Sequence, residues 1–233
     1  MRMKQVLRVT TVLSTAWALT ACGSGIGTDM GSFADSSSYA LGLDMGNSIH
    51  DMSAEIDLPS LLQGLSDILE DKEPLLTPAQ SSQILQLFGR RRREKAATDR
   101  AAALERNRAE GEAFLAENAE KEGVTTTASG LQYEVMTEGD GPTPTTTDRV
   151  TVHYLGTLID GTKFDSSYDR DQPATFAVTE VIAGWTEALQ LMKVGGKYRL
   201  FVPSDLAYGE GGSGPLIEPN AMLIFEVELL SID

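Results

Sequence analysis

The sequence predicts an α+β protein. A C-terminal antiparallel β-sheet wrapped on one short helix follows an all-α N-terminal region and a long connecting helix. Three observations carry this. Apolar residues recur at helical spacing before residue 76. The stretch from Pro78 to Lys121 has no further proline and is dominated by Ala, Glu, Arg, Leu and Gln. Beyond Val124 the pattern changes to strand-like alternation broken by glycine and proline turns.

The 233 residues are 41% hydrophobic and 23% charged, enough for a buried core, and carry a formal charge of -15. That charge argues against nucleic acid as a partner, because such affinity rests on neutralising phosphates with Lys and Arg. Cys22 is the one cysteine and His50 and His153 the two histidines, so no intramolecular disulfide forms and no His/Cys zinc site is expected. The sequence calls for no cofactor and no metal.

Residues 1–21 read as a secretory signal. Arg2, Lys4 and Arg8 precede an apolar run, "VTTVLSTAWAL", too short to span a bilayer. The run ends in "LTAC", which resembles the bacterial lipobox and implies lipidation of Cys22 as the mature N-terminus. Gly23 in place of aspartate then implies an outer-membrane lipoprotein of the bacterial envelope facing the periplasm, with a soluble periplasmic protein as the alternative. Residues 22–34 read as a flexible tether.

Residues 35–76 form the all-α region. Leu41, Met45, Ile49 and Met52 share one helix face, with a serine cap expected near Ser36 to Ser38. "DLPSLLQGLSDIL" gives a second amphipathic helix with Leu58, Leu61, Leu62, Leu65, Ile68 and Leu69 on its stripe. Two such helices are too small to build a core alone. A homodimer through residues 35–76 is favoured over an adaptable client groove. Residues 77–122 form the long helix, with Thr77 as N-cap, Pro78 in the first turn and Gly123 as the stop. Its polar C-terminal half is expected to cross solvent rather than a core. The run Arg90 to Arg93 reads as a solvated face with Glu94 and Asp99 nearby.

Residues 124–233 form the sheet domain. "GLQYEVMTEG" alternates around Leu131, Tyr133 and Val135. "RVTVHYLGTLIDGTKFDSS" gives a strand, a turn at Asp160-Gly161 and a short strand, and "KYRLFV" and "AMLIFEVELLSI" give two more. "EVIAGWTEAL" begins in strand-like fashion at Val181 and Ile182. A helix then runs from Trp185 to Met192, ended by Gly195-Gly196.

No G-x-S-x-G elbow, phosphate loop, nucleophilic cysteine or metal cluster occurs in this domain. His153 points away from Val152 and Tyr154 and reads as a structural histidine. The notable feature is a set of aromatics beside turns: Tyr154, Phe164, Phe176, Trp185, Tyr208 and Phe225. Spacing alone favours a domain core, whereas the adjoining glycines and Asp165 tilt towards a pocket.

The stretches "VTVHYLGTLIDGTKFDSS", "EVIAGWTEALQLMKVGGKYRLFVPSDLAYG" and "AMLIFEVELL" resemble the FKBP family of peptidyl-prolyl cis-trans isomerases, over essentially all of residues 124–233. The signal, paired helices and long helix are similar to its macrophage infectivity potentiator subgroup, which implies a dimer formed by the N-terminal part. The resemblance implies a site in which the Trp185 indole is the floor under a proline ring. Tyr154, Phe164, Phe176, Val181, Ile182 and Phe225 are the apolar walls. The Ile182 N–H and the Tyr208 hydroxyl bond substrate carbonyls, and Asp165 is a polar wall. Two positions depart from the family: Ser213 stands where histidine is frequent, and Ala174 is nearest to an absent phenylalanine. The implied partners are proline-containing peptides and unfolded exported proteins. The implied activity is isomerisation without covalent chemistry, with a holding chaperone of the envelope as the alternative.

Overall fold

The computed structural model describes residues 31–233. The expected signal peptide, Cys22 and residues 22–30 of the expected tether lie outside them. The chain divides into two compact units, separated between Leu75 and Leu76.

In the first unit, α1 (Phe33–Ile49) is followed by a 3₁₀ segment, His50–Glu55, and α2 (Leu58–Leu69). The α1 cap is Ser32 rather than Ser36 to Ser38: its hydroxyl accepts from the Asp35 N–H while the Asp35 carboxylate accepts from the Ser32 N–H. This reciprocal capping box satisfies two orphan donors, so the helix starts earlier than the serine run suggests. Met52 leaves the α1 face because it lies in the 3₁₀ segment. Asp57 caps α2, accepting from the Ser60 N–H at 2.9 Å. Large apolar side chains of this unit stay exposed, among them Leu41, Leu43, Leu58, Leu62, Ile68 and Leu69. The buried residue of α2 is Asp67, whose carboxylate accepts from Gln63 at 2.6 Å.

The second unit begins with α3 (Pro78–Ala119), 42 residues long and therefore about 63 Å at 1.5 Å per residue. Thr77 and Gln80 form its capping box. Gly123 follows at φ 88, the left-handed conformation that ends a helix without a Cβ penalty. The composition of the C-terminal half of α3 suggests a helix crossing solvent, but one stripe of it is buried instead. Ala103, Gly111 and Asn118 are buried on one stripe. Phe114 packs on Phe201 at 5.8 Å between ring centroids, and Asn118 donates to the Gln132 side chain at 2.9 Å. A small-and-polar stripe thus docks a helix on the sheet domain where an apolar one would be expected.

The sheet comprises β1 (Val124–Thr126), β2 (Gln132–Thr137), β3 (Arg149–Thr157), β4 (Lys163–Ser166), β5 (Ala174–Ala177), β6 (Lys197–Val202) and β7 (Leu223–Ile232). Its order is β1-β2-β6-β7-β3-β4, all antiparallel, with β5 also pairing β3. The long central strands alternate strictly: Val150, Val152 and Tyr154 of β3 and Leu223, Phe225, Val227 and Leu229 of β7 face the core. Across that face lies α4 (Ala183–Leu189), and Trp185, Ala188, Leu189 and Met192 all join the core. Val181 and Ile182 are not strand: they form the turn before α4, with Ile182 as its N-cap residue. Gly184 is required there, because a Cβ would sit 2.5 Å from Val202 Cγ1.

Candidate active site

The walls of the site come from adjacent strands. Tyr154 is on β3, Phe164 and Asp165 on β4, Phe176 on β5 and Phe225 on β7. The β3–β4 register shifts at Gly156/Thr157, and Gly156 is where Phe164 lies against the backbone: a Cβ would come within 2.6 Å of its ring. The close approach of the Phe164 ring therefore depends on a glycine opposite it.

Trp185, only 4% exposed, is the centre of the arrangement. Tyr154, Phe176 and Phe225 stand nearly perpendicular to its indole, at 5.3, 6.0 and 5.3 Å between centroids and 85°, 90° and 80° between planes. Edge contacts of this kind match the positive rims of the rings to the negative face of a neighbour. They make Trp185 a floor and the three rings a wall. Phe225 in turn holds Phe164 edge-on at 5.5 Å. The Trp185 Nε1 is buried with no hydrogen-bond partner among the described residues, a costly arrangement for an indole donor.

The resulting cavity has a volume of about 390 Å³. Its lining brings together all nine residues singled out from the sequence, Tyr154, Phe164, Asp165, Phe176, Val181, Ile182, Trp185, Tyr208 and Phe225, and adds Glu180 at the rim. Glu180 carries no sequence signal beyond its adjacency to Val181.

One wall is polar and tightly knit. Tyr154 donates its hydroxyl to Asp165 Oδ2. Arg170 donates Nη1 to Asp165 Oδ1 at 2.5 Å and Nη2 to the Tyr154 hydroxyl at 2.9 Å. The Ser166 N–H completes the carboxylate's partners at 2.8 Å. Burial pushes the Asp165 carboxyl up, but the bonds from Tyr154 and Arg170 outweigh it and hold it below the ordinary carboxylate range. Burial and the bond to Asp165 push the Tyr154 hydroxyl up. The wall is therefore an anion locked by three donors, the Tyr154 hydroxyl, the Arg170 guanidinium and the Ser166 N–H. Arg170 went unread in the sequence; its signal was the "DSSYDR" spacing, which a 3₁₀ turn (Tyr168–Arg170) folds back on Asp165.

Two donors are left over. Neither the Ile182 N–H, at the start of α4, nor the hydroxyl of the exposed Tyr208 bonds anything among the described residues. His153 lies outside the cavity lining: its Nδ1 meets Ser167 Oγ at 3.0 Å and its ring stacks on Tyr168 at 4.7 Å. Ala174 packs against the core from β5, and Ser213 pairs with Ile217 in a bridge beyond Tyr208.

Comparison with known proteins shows the family to which this fold belongs. A family model described as FKBP-type peptidyl-prolyl cis-trans isomerase matches residues 141–230, and one described as the domain amino terminal to it matches residues 34–135. An FKBP-type peptidyl-prolyl cis-trans isomerase, FkpA, of Aeromonas hydrophila is 48% identical over 211 residues, 87% of this chain and 77% of that protein. The "Outer membrane protein MIP" of Legionella longbeachae is 39% identical over 232 residues, 100% of this chain and 98% of that protein. The crystal structure of FkpA from Escherichia coli superposes with a TM-score of 0.67 at 37% identity, covering 88% of this chain and 99% of that one.

Proposed function

This chain belongs to the FKBP-type peptidyl-prolyl cis-trans isomerases, and from that premise we propose that it turns over X-Pro bonds in the Trp185 pocket by non-covalent stabilisation of the twisted amide. The observation that carries this is the pairing of an aromatic cavity with two unbonded donors at its edge, the Ile182 N–H and the Tyr208 hydroxyl. The barrier to amide rotation is about 18–20 kcal/mol, mostly lost resonance. Uncatalysed X-Pro exchange takes tens to hundreds of seconds. Twisting reduces the amide's dipole, so an apolar cavity favours the twisted form over the planar one, which water solvates better. The proline ring sits on the Trp185 indole. Ile182 and Tyr208 hold the flanking carbonyls and fix the axis of rotation. Asp165, held by Tyr154 and Arg170, keeps the wall rigid and the Tyr154 ring oriented.

The clients are proline-containing segments of unfolded exported proteins. The protein is an envelope protein anchored through a lipid on Cys22 and paired as a homodimer through residues 35–76. The exposed leucines of α1 and α2 support the pairing, since apolar side chains at helical spacing left in water favour a second copy over solvent. Those same side chains favour a second reading, a holding chaperone that binds unfolded chains away from the pocket. A Tyr208→Phe, Asp165→Ala double variant separates the two. The isomerase reading expects loss of proline-limited refolding catalysis, and aggregation suppression that survives that loss places chaperoning away from the pocket. Unchanged refolding catalysis overturns it.

A further inference from the structure

Tyr208 stands at the entrance to a loop whose far side is held by α3. The loop runs from residue 209 to residue 220 and closes on itself: the Asn220 N–H donates to the Gly209 carbonyl at 2.9 Å. Asn220 is 3% exposed and adopts φ 58, which asparagine tolerates better than most residues. Its side chain does not serve the loop. Nδ2 donates instead to the Leu104 carbonyl of α3 at 3.2 Å.

Other groups of the same helix face reach the same loop. Arg100 donates to the Glu210 carbonyl at 2.6 Å. Asn107 donates to the Pro219 carbonyl at 2.8 Å and to the Glu218 carboxylate at 3.0 Å, and Arg106 pairs with that carboxylate. Gly111 lets Met222 against the helix, where a Cβ would lie 3.3 Å from Met222 Cβ. Four residues spread over two turns of a helix thus grip one loop, and the loop's neck is covalently joined to the residue whose hydroxyl edges the cavity. No such contact would be needed merely to dock α3, whose Phe114 and Asn118 already pack on the sheet.

We propose that Asn220 and Asn107 are positioning residues for the isomerase reaction: through the loop neck, α3 sets where the Tyr208 hydroxyl stands. A substrate donor displaced by even about 1 Å costs rate out of proportion to the distance. The proposal rests on the reading of Tyr208 given above and makes the connecting helix part of the catalytic geometry rather than a spacer.

The test is a double-mutant cycle on the full chain, with a proline-containing tetrapeptide as substrate. Asn220→Gly keeps the φ 58 backbone and its N–H bond but loses the bond to Leu104. Asn107→Ala, at a half-buried helix position, loses the bonds to Pro219 and Glu218 while alanine keeps the helix, and is the second variant. Each is measured alone and combined with Tyr208→Phe, with thermal unfolding recorded for all. The expected result is a loss in kcat/KM of about threefold to tenfold for each single variant, falling below about twofold in the Tyr208→Phe background, as coupled groups behave. Equal losses in both backgrounds, or no loss in either, overturn the positioning role while leaving the Tyr208 reading intact. If Tyr208→Phe alone leaves kcat/KM unchanged, the reading of Tyr208 falls and takes this inference with it.

Discussion

Trp185 meets two demands that pull against each other. Its buried lower side packs with Ala188 and Leu189 of α4 and with Met192, which lies beyond the helix although the sequence pattern extends it that far, and its upper side faces the cavity between three perpendicular rings. Sequence periodicity saw only the first demand, because a stripe at i, i+3, i+4 and i+7 looks the same whether or not one residue is also a floor. Trp185→Ala should remove both, costing about 3–5 kcal/mol of stability together with activity. Trp185→Leu should keep most of the packing and raise KM for prolyl peptides. An unchanged KM in steady-state kinetics contradicts the floor assignment. The Asp165 wall makes a second prediction. Because its folded pKa is depressed, its contribution to stability is complete above the ordinary carboxylate value and is lost only as pH falls through the lower folded value. Turnover should therefore be flat between about pH 6 and 8, and thermal stability should fall only in stronger acid, below about pH 4. A bell-shaped rate profile centred near pH 7 contradicts the account.

At the scale of elements, legibility followed the physics of each pattern. The long strands β3 and β7 were readable because eight or more alternating residues mark a half-buried strand. The three-residue β1 and four-residue β5 were not, being too short for alternation to register, whereas the equally short β4 was readable because the Asp160-Gly161 turn announces it. The pocket residues were readable through motif resemblance, down to Ile182, although the turn holding it looked like a strand. Asn220, which acts by hydrogen bonding across the fold, had no local signature, and the short-range signal of Arg170 went unread. The docking of α3 was hidden for a chemical reason: its buried stripe is alanine, glycine and asparagine, which hydropathy reads as solvent-facing. That stripe predicts that Gly111→Leu, harmless on an exposed helix, lowers stability by about 1–3 kcal/mol through overpacking against Met222. Denaturant unfolding of the variant checks it, and an unchanged midpoint contradicts the packing.

The whole molecule joins an isomerase domain, a helix that belongs structurally to it, and a helical unit with apolar side chains in water. If residues 35–76 pair two copies, light scattering should give twice the 25.1 kDa chain mass for the unlipidated protein with its leader present. Leu62→Glu combined with Leu41→Glu should then yield monomers whose activity on short peptides is unchanged. A monomeric parent protein contradicts the pairing. The account's central claim is that the aromatic cavity floored by Trp185 turns over X-Pro bonds. Its most direct measurement is the cis-to-trans rate of a proline tetrapeptide under the full chain and under its Trp185→Leu variant, read by exchange spectroscopy or protease coupling. The account predicts strong acceleration by the parent chain and a loss of about tenfold or more in kcat/KM for the variant, a difference of about 1.4 kcal/mol in transition-state binding. Equal acceleration by both proteins would contradict it.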